Sequence, residues 1–127
     1  MWIRTTAQGF DEQETPSQRT LDILTPNFHS PNATCFLAWI DGQPAGGGAM
    51  YIHDGVAEFG GESTRPCFRR LGVQRALLQA RLAAAVGQGC ELVMAMTEPG
   101  SGSERNMQRA GFLLAYTKAV LVGNMGE

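Results

Sequence analysis

The chain has 127 residues and a net charge of −2, with 43% hydrophobic and 17% charged residues. That is one domain with one core, too short for two ordinary domains and too apolar for a disordered chain. The near-neutral charge argues against a large nucleic-acid footprint, no apolar run reaches a membrane span, and no signal-peptide pattern opens the chain, so a cytoplasmic protein is expected.

The cysteines Cys35, Cys67 and Cys90 are odd in number and form no CxxC pair. This argues against a disulfide framework or a zinc site and fits a reducing compartment. His29 and His53 fall in loop or turn regions far apart in sequence, so no metal is expected.

In chain order, residues 1–14 resist assignment, with Trp2, Ile3 and Phe10 as anchors for a short helix or strand. "TPSQRTLDIL" carries a helix start, with Thr15 as N-cap, Pro16 at the first helical position, and Leu21 and Leu24 facing the core. "TPNFHSPNAT" reads as a loop. "TCFLAWI" (34–40), "PAGGGAMYI" (44–52) and "VAEFGGEST" (56–64) read as strands separated by the turns "DGQ" and "HDG", which predicts an antiparallel meander. The glycines within them point to a bulge or a close backbone approach.

After Pro66 the period changes. Val73, Ala76, Leu77, Ala80, Ala83 and Ala84 mark one helical face, and Gly87 or Gly89 closes the helix. "ELVMAM" (91–96) reads as a buried central strand, parallel to the strand before the helix. A short helix from Ser101 to Ala110, capped by Gly111, and a last strand, "FLLAYTKAVLV" (112–122), complete the order. The fold class is α+β, or mixed α/β: a single domain around a mostly antiparallel sheet with one parallel βαβ unit. An abbreviated helical region, 1–33, precedes the sheet and core, 34–122.

The junction "RPCFRRLGVQ" (65–74) concentrates the chemistry. The first N–H groups of a helix lack intrahelical partners, and its dipole places partial positive charge there. Gly72 lets a ligand approach the backbone, and Arg69 and Arg70 add cations. Together they suit an anion, most naturally a diphosphate. An ordinary solvated helix start with surface arginines is the alternative. There is no GxxxxGK[ST], so a nucleotide P-loop is disfavoured. Cys67 sits among arginines but has no histidine nearby in sequence to activate it.

"RRLGVQRALL" after "STRPCF" resembles the acyl-CoA-binding motif, Q/R-x-x-G-x-G/A, of the GNAT N-acyltransferase superfamily. Arg69 takes the first position and Gly72 the glycine position, while Gln74 stands where glycine or alanine is usual. "SERNMQRAGF" (103–112) is similar to the family's short fourth helix. The resemblance implies acetyl-CoA or another acyl-CoA as cofactor. It implies that N–H groups of Leu71, Gly72, Val73 and Gln74 hold the diphosphate. Ser63 and Thr64 would pair with the pantetheine arm, and Ser103 and Asn106 would lie near the pantetheine or thiol end. The acceptor would be a small-molecule amine or a peptide amine, attacked directly.

Direct transfer needs a base and a stabilised oxyanion. Glu58 is the candidate base. Glu62, four residues on, is expected on the same face by strand alternation, each carboxylate raising the pKa of the other. Tyr116 is a candidate acid for the thiolate, although relatives carry that tyrosine on the preceding helix, where Met107 stands here; a core or edge tyrosine is the alternative reading. The short N-terminal part lacks the family's first strand, which predicts a homodimer, a partner chain, or a fragment of a longer protein. A catalytically inactive CoA-binding or assembly module is the second reading, and a nucleotide-phosphate binder a third.

Overall fold

The computed structural model describes residues 1–119, 121 and 123. They divide into two units, Met1–Met96 and the residues from Thr97 onward.

The first unit opens with two helices. α1 (Trp2–Asp11) buries Trp2, Thr5, Thr6, Ala7, Gln8 and Gly9, and the indole Nε1 of Trp2 donates to the Gly48 carbonyl at 3.2 Å. Its last residue, Asp11, accepts from the Ser17 N–H and the Thr20 hydroxyl, both at 2.7 Å. This clasp joins α1 to the start of α2 (Gln18–His29). The N-cap of α2 is Ser17, whose hydroxyl accepts from the Thr20 N–H, rather than the expected Thr15. The helix also runs through Pro26 to His29, where a loop is expected from the two prolines. Leu24 and Leu21 pack with Trp2, Ala7 and Ala49, and that burial outweighs the one helix bond a proline forfeits.

β1 (Ala33–Ile40), β2 (Gln43–His53) and β3 (Val56–Thr64) form the expected antiparallel meander. Asp41–Gly42 and Asp54–Gly55 all have positive φ, the backbone that two-residue hairpin loops require. The glycine run in β2 marks both a close approach and a bulge. A Cβ on Gly47 would strike Trp2 and Thr6, and one on Gly46 would meet the Ser63 carbonyl and Val73. Pairing of β2 with β3 slips between Gly47 and Ala49, opposite Gly60 and Ser63. The extra residue lies in β3, where Gly61 takes φ +58, a glycine bulge.

The long helix α3 (Val73–Gly87) covers one sheet face. Val73 and Leu77 pack with Ala45, flanked by Phe36, Ala38, Ile40 and Phe68. Its buried residues are Val73, Leu77, Leu78, Arg81 and Ala85, whereas Ala76, Ala80 and Ala83 are exposed. The apolar stripe read from the sequence is therefore rotated, because alanines are apolar enough to fit either side and larger side chains take the core. β4 (Leu92–Ala95) pairs in parallel with β3, as expected of a strand–helix–strand unit. Among the described residues the sheet order is β1-β2-β3-β4, which puts β4 at the edge of the described sheet, where a buried central strand is expected. Leu92 and Met94 are exposed.

In the second unit, α4 (Gly102–Arg109) starts at Ser101, whose hydroxyl accepts from the Glu104 N–H at 3.2 Å, and ends before Gly111 at φ +100. The expected last strand is not formed over 112–119, and Val120 and Val122 lie outside the described residues. An apolar run of strand length becomes a strand only with a ladder partner, and this one has none among the described residues. Leu113, Leu114 and Tyr116 are exposed.

Candidate functional site

The site is built where β3 hands over to α3. After Thr64 a short 3-10 turn spans Pro66–Phe68. Arg65 pins the turn down. Its N–H donates to the Ala45 carbonyl at 2.8 Å, and its Nη1 donates to the Pro44 carbonyl at 2.8 Å. Its Nη2 reaches both carboxylate oxygens of Glu14 at 2.9 and 3.0 Å. The guanidinium also lies over the Phe68 ring, 5.2 Å from its centre.

The two motif arginines diverge. Arg69 donates to Glu12 at 3.0 Å and to the Gly9 carbonyl at 3.3 Å, so its charge is largely answered by the end of α1. Arg70 is exposed, has φ +63, and forms no ion pair with another described residue. Leu71 is exposed. Gly72 is the N-cap of α3 at φ +84 and brings no side-chain cap, so the opening N–H groups gain no acceptor from it. A Cβ built on Gly72 meets nothing within 4 Å. Left-handed residues at 70 and 72, opening a 15-residue helix, make a concavity of N–H groups facing open space. Chemically, such a concavity with a cation beside it is suited to an anion.

β3 runs past its parallel neighbour. β4 matches only Val56–Phe59, with Leu92–Ala95, while β3 continues to Thr64. Among the described residues, Gly60–Thr64 therefore has one edge without a strand partner, on which an extended ligand can lie as a strand would. The Ser63 hydroxyl is already engaged, donating to the Thr6 carbonyl at 2.6 Å, and Ser63 is itself paired with Gly47 of β2.

Glu58 and Glu62 do not share a face. Glu58 stands opposite Tyr51 on β2 and Met94 on β4. Tyr51 packs against the α1–α2 cluster. Phe59, the next residue and so on the other face, lies under the guanidinium of Arg81 on α3, and Glu62 forms an ion pair with that same Arg81. Strand alternation fails because the bulge at Gly61 inserts a residue between the two glutamates. The expected pairing of the two carboxylates on one face is therefore not formed. Burial pushes the Glu62 carboxyl above the usual carboxylate range, opposed by Arg81 and a hydrogen bond with Gln74. Glu58 is exposed.

The sequence reading missed Tyr51 and Arg81. Burial, then Cys35 and Glu58, raise the Tyr51 hydroxyl above its ordinary value. Arg81 follows Val73 and Leu77 at helical spacing, a signal masked by the habit of assigning arginine to solvent. Ser103, Asn106 and Tyr116 belong to the second unit: Ser103 and Asn106 on α4, and Tyr116 exposed beyond it. Among the described residues no cluster of histidine, cysteine and acidic side chains is suited to a metal, and no helix is long and apolar enough to cross a membrane.

Comparison with known proteins agrees with this fold. The sequence profile of the acetyltransferase (GNAT) family matches residues 2–112. No curated protein matches the chain in sequence at a significant level. Among solved structures, the chain is similar to an acetyltransferase from Trypanosoma brucei, with 17% identity over 94% of this chain and 89% of that one, at TM-score 0.69. It is similar to an aminoglycoside 6'-N-acetyltransferase from Acinetobacter haemolyticus, with 17% identity over 98% and 90%, at TM-score 0.69. It is also similar to AAC(6')-Iy bound to a CoA-based bisubstrate analogue, with 20% identity over 86% and 81%, at TM-score 0.65. At these identities the likeness shows the fold alone.

Proposed function

Because the chain belongs to the acetyltransferase (GNAT) family, we propose that it transfers an acyl group from acetyl-CoA or another acyl-CoA to an amine. The observation that carries this reading is the open, left-handed loop at Arg70–Gly72, set beside a β3 that outruns β4. N–H groups from Leu71 to Gln74 hold the diphosphate, and Arg70 supplies the balancing charge. Arg69, paired with Glu12, holds the loop against α1. The backbone at Ser63 and Thr64 takes the pantetheine arm.

Acyl-CoA, when bound, supplies a thioester carbonyl to be attacked and a thiolate to leave. Glu58 accepts a proton from the acceptor ammonium, directly or through one water, freeing the amine lone pair to attack the thioester carbonyl. It stands one residue before β3 and β4 part, and its exposure lets an amine reach it. Glu62 is no longer a candidate base, since its carboxylate is engaged by Arg81 and Gln74. The acceptor class is an amine, small-molecule or peptide. Solved relatives named as aminoglycoside acetyltransferases, one of them with sisomicin bound, support the small-molecule side of that range. No role is assigned to Ser103, Asn106 or Tyr116.

Two variants test the reading. Arg70→Glu weakens CoA binding by calorimetry, while Glu58→Gln leaves it intact and lowers turnover by roughly 10²–10⁴-fold, the usual range for a lost general base. CoA binding with no thiol release across a broad amine panel would favour the inactive CoA-binding module instead.

A further inference from the structure

Arg81 is the largest fully buried side chain among the described residues, only 1% exposed. Its Nε donates to the Leu77 carbonyl of its own helix at 3.2 Å, and its Nη1 to the Ala49 carbonyl on β2 at 3.3 Å. Its Nη2 donates to Glu62, and the guanidinium lies 4.8 Å from the centre of the Phe59 ring. Burial drives both members of the pair toward their neutral forms, outweighing their mutual attraction. A buried pair of this kind is weak evidence for stability, so its retention calls for another reason.

That reason lies in the third member. Gln74 stands in the first turn of α3, and its side chain hydrogen-bonds Glu62. The bulge at Gly61 turns Glu62 toward α3. One carboxylate thus ties the bulged end of β3 to the opening turn of α3, and Arg81 fastens both to β2. These are the two places where the family reading puts the pantetheine arm and the diphosphate.

We propose that Gln74, Glu62 and Arg81 are positioning residues that fix the spacing between the diphosphate loop and the end of β3, so that both parts of one acyl-CoA engage together. This rests on the acyl-CoA reading above. It also accounts for Gln74 at a position where the motif usually has glycine or alanine: a small residue there could not reach Glu62. Linking two weak contacts on one ligand gains affinity only when their spacing is correct. The loop alone needs no such spacing to hold a diphosphate.

The test is calorimetry on the full chain with two probes, CoA and ADP. In Gln74→Ala, which keeps the backbone N–H assigned to the diphosphate and loses only the side chain, CoA affinity is expected to fall roughly tenfold, the worth of one hydrogen bond to a charged group, and ADP affinity to fall by much less. Gln74→Met, which keeps the length and loses the hydrogen bond, reproduces the selective loss should the alanine variant fold poorly. Equal losses for both probes would mean general damage to the loop and overturn the proposal, as would no loss for either. If wild-type protein binds ADP but not CoA, or neither, the acyl-CoA reading fails and this inference with it.

Discussion

Gly72 shows how much one residue decides. Its φ of +84 lies where an L side chain costs about 1–2 kcal/mol. The space around it is open, so Gly72→Ala meets no clash. We expect a stability loss of about that size in denaturant titration, together with weaker CoA binding, because the new methyl group occupies the concavity. Arg69 and Arg70 teach the complementary lesson. They are adjacent in sequence and alike in chemistry, yet one is answered by Glu12 and the other faces solvent. The motif was legible at 69–74; the division of labour between the arginines was not, because Glu12 lies far from them in the chain.

At the scale of elements, the glycines of β2 let α1 lie directly on the sheet. Gly47→Ala would press against the Trp2 indole at 2.9 Å, an overpacking expected to cost about 1–3 kcal/mol by thermal or denaturant unfolding. The α3–β3 contact depends on the Arg81–Glu62 pair. Arg81→Met leaves a buried carboxylate uncompensated, for an expected loss of about 3–5 kcal/mol. The pH dependence follows from the direction of the Glu62 shift. Burial raises its folded pKa above the ordinary 4.5, so the folded state binds the proton more tightly. Its contribution to stability is present in full below the ordinary value and is lost as pH rises through the raised one. The unfolding free energy of wild type minus that of Glu62→Gln should therefore fall as pH rises above 4.5. The meander, both turns and the helix after Pro66 could all be read from alternation and turn residues, which are local signals. The bulge could not be placed from "GG" alone, because its position depends on the pairing of β2 with β3.

For the whole molecule, the mass-action consequence of the proposed activity is direct. A ligand that binds only the folded chain stabilises it by about 2.7 kcal/mol at a hundred times its dissociation constant. CoA at that excess should raise the melting temperature of wild type and of Glu58→Gln alike, and that of Arg70→Glu less at the same concentration. Failure to shift the wild type would remove the basis of the functional reading. Association with a second copy remains a proposal; β1 and β4 are the outer strands of the described sheet, and unpaired edges are where strands add.

The sequence by itself determined the order of elements from α2 through α4, the antiparallel meander with its parallel fourth strand, and the arginine–glycine loop opening α3, because each is written in neighbouring residues. Tertiary structure alone decided that Glu62 turns inward to Arg81 while Glu58 stays outside, that Arg81 is core rather than surface, and that β4 lies at the edge of the described sheet. Those outcomes depend on register, on a one-residue bulge, and on which distant groups meet; of them only the burial of Arg81 left a local trace, its helical spacing from Val73 and Leu77.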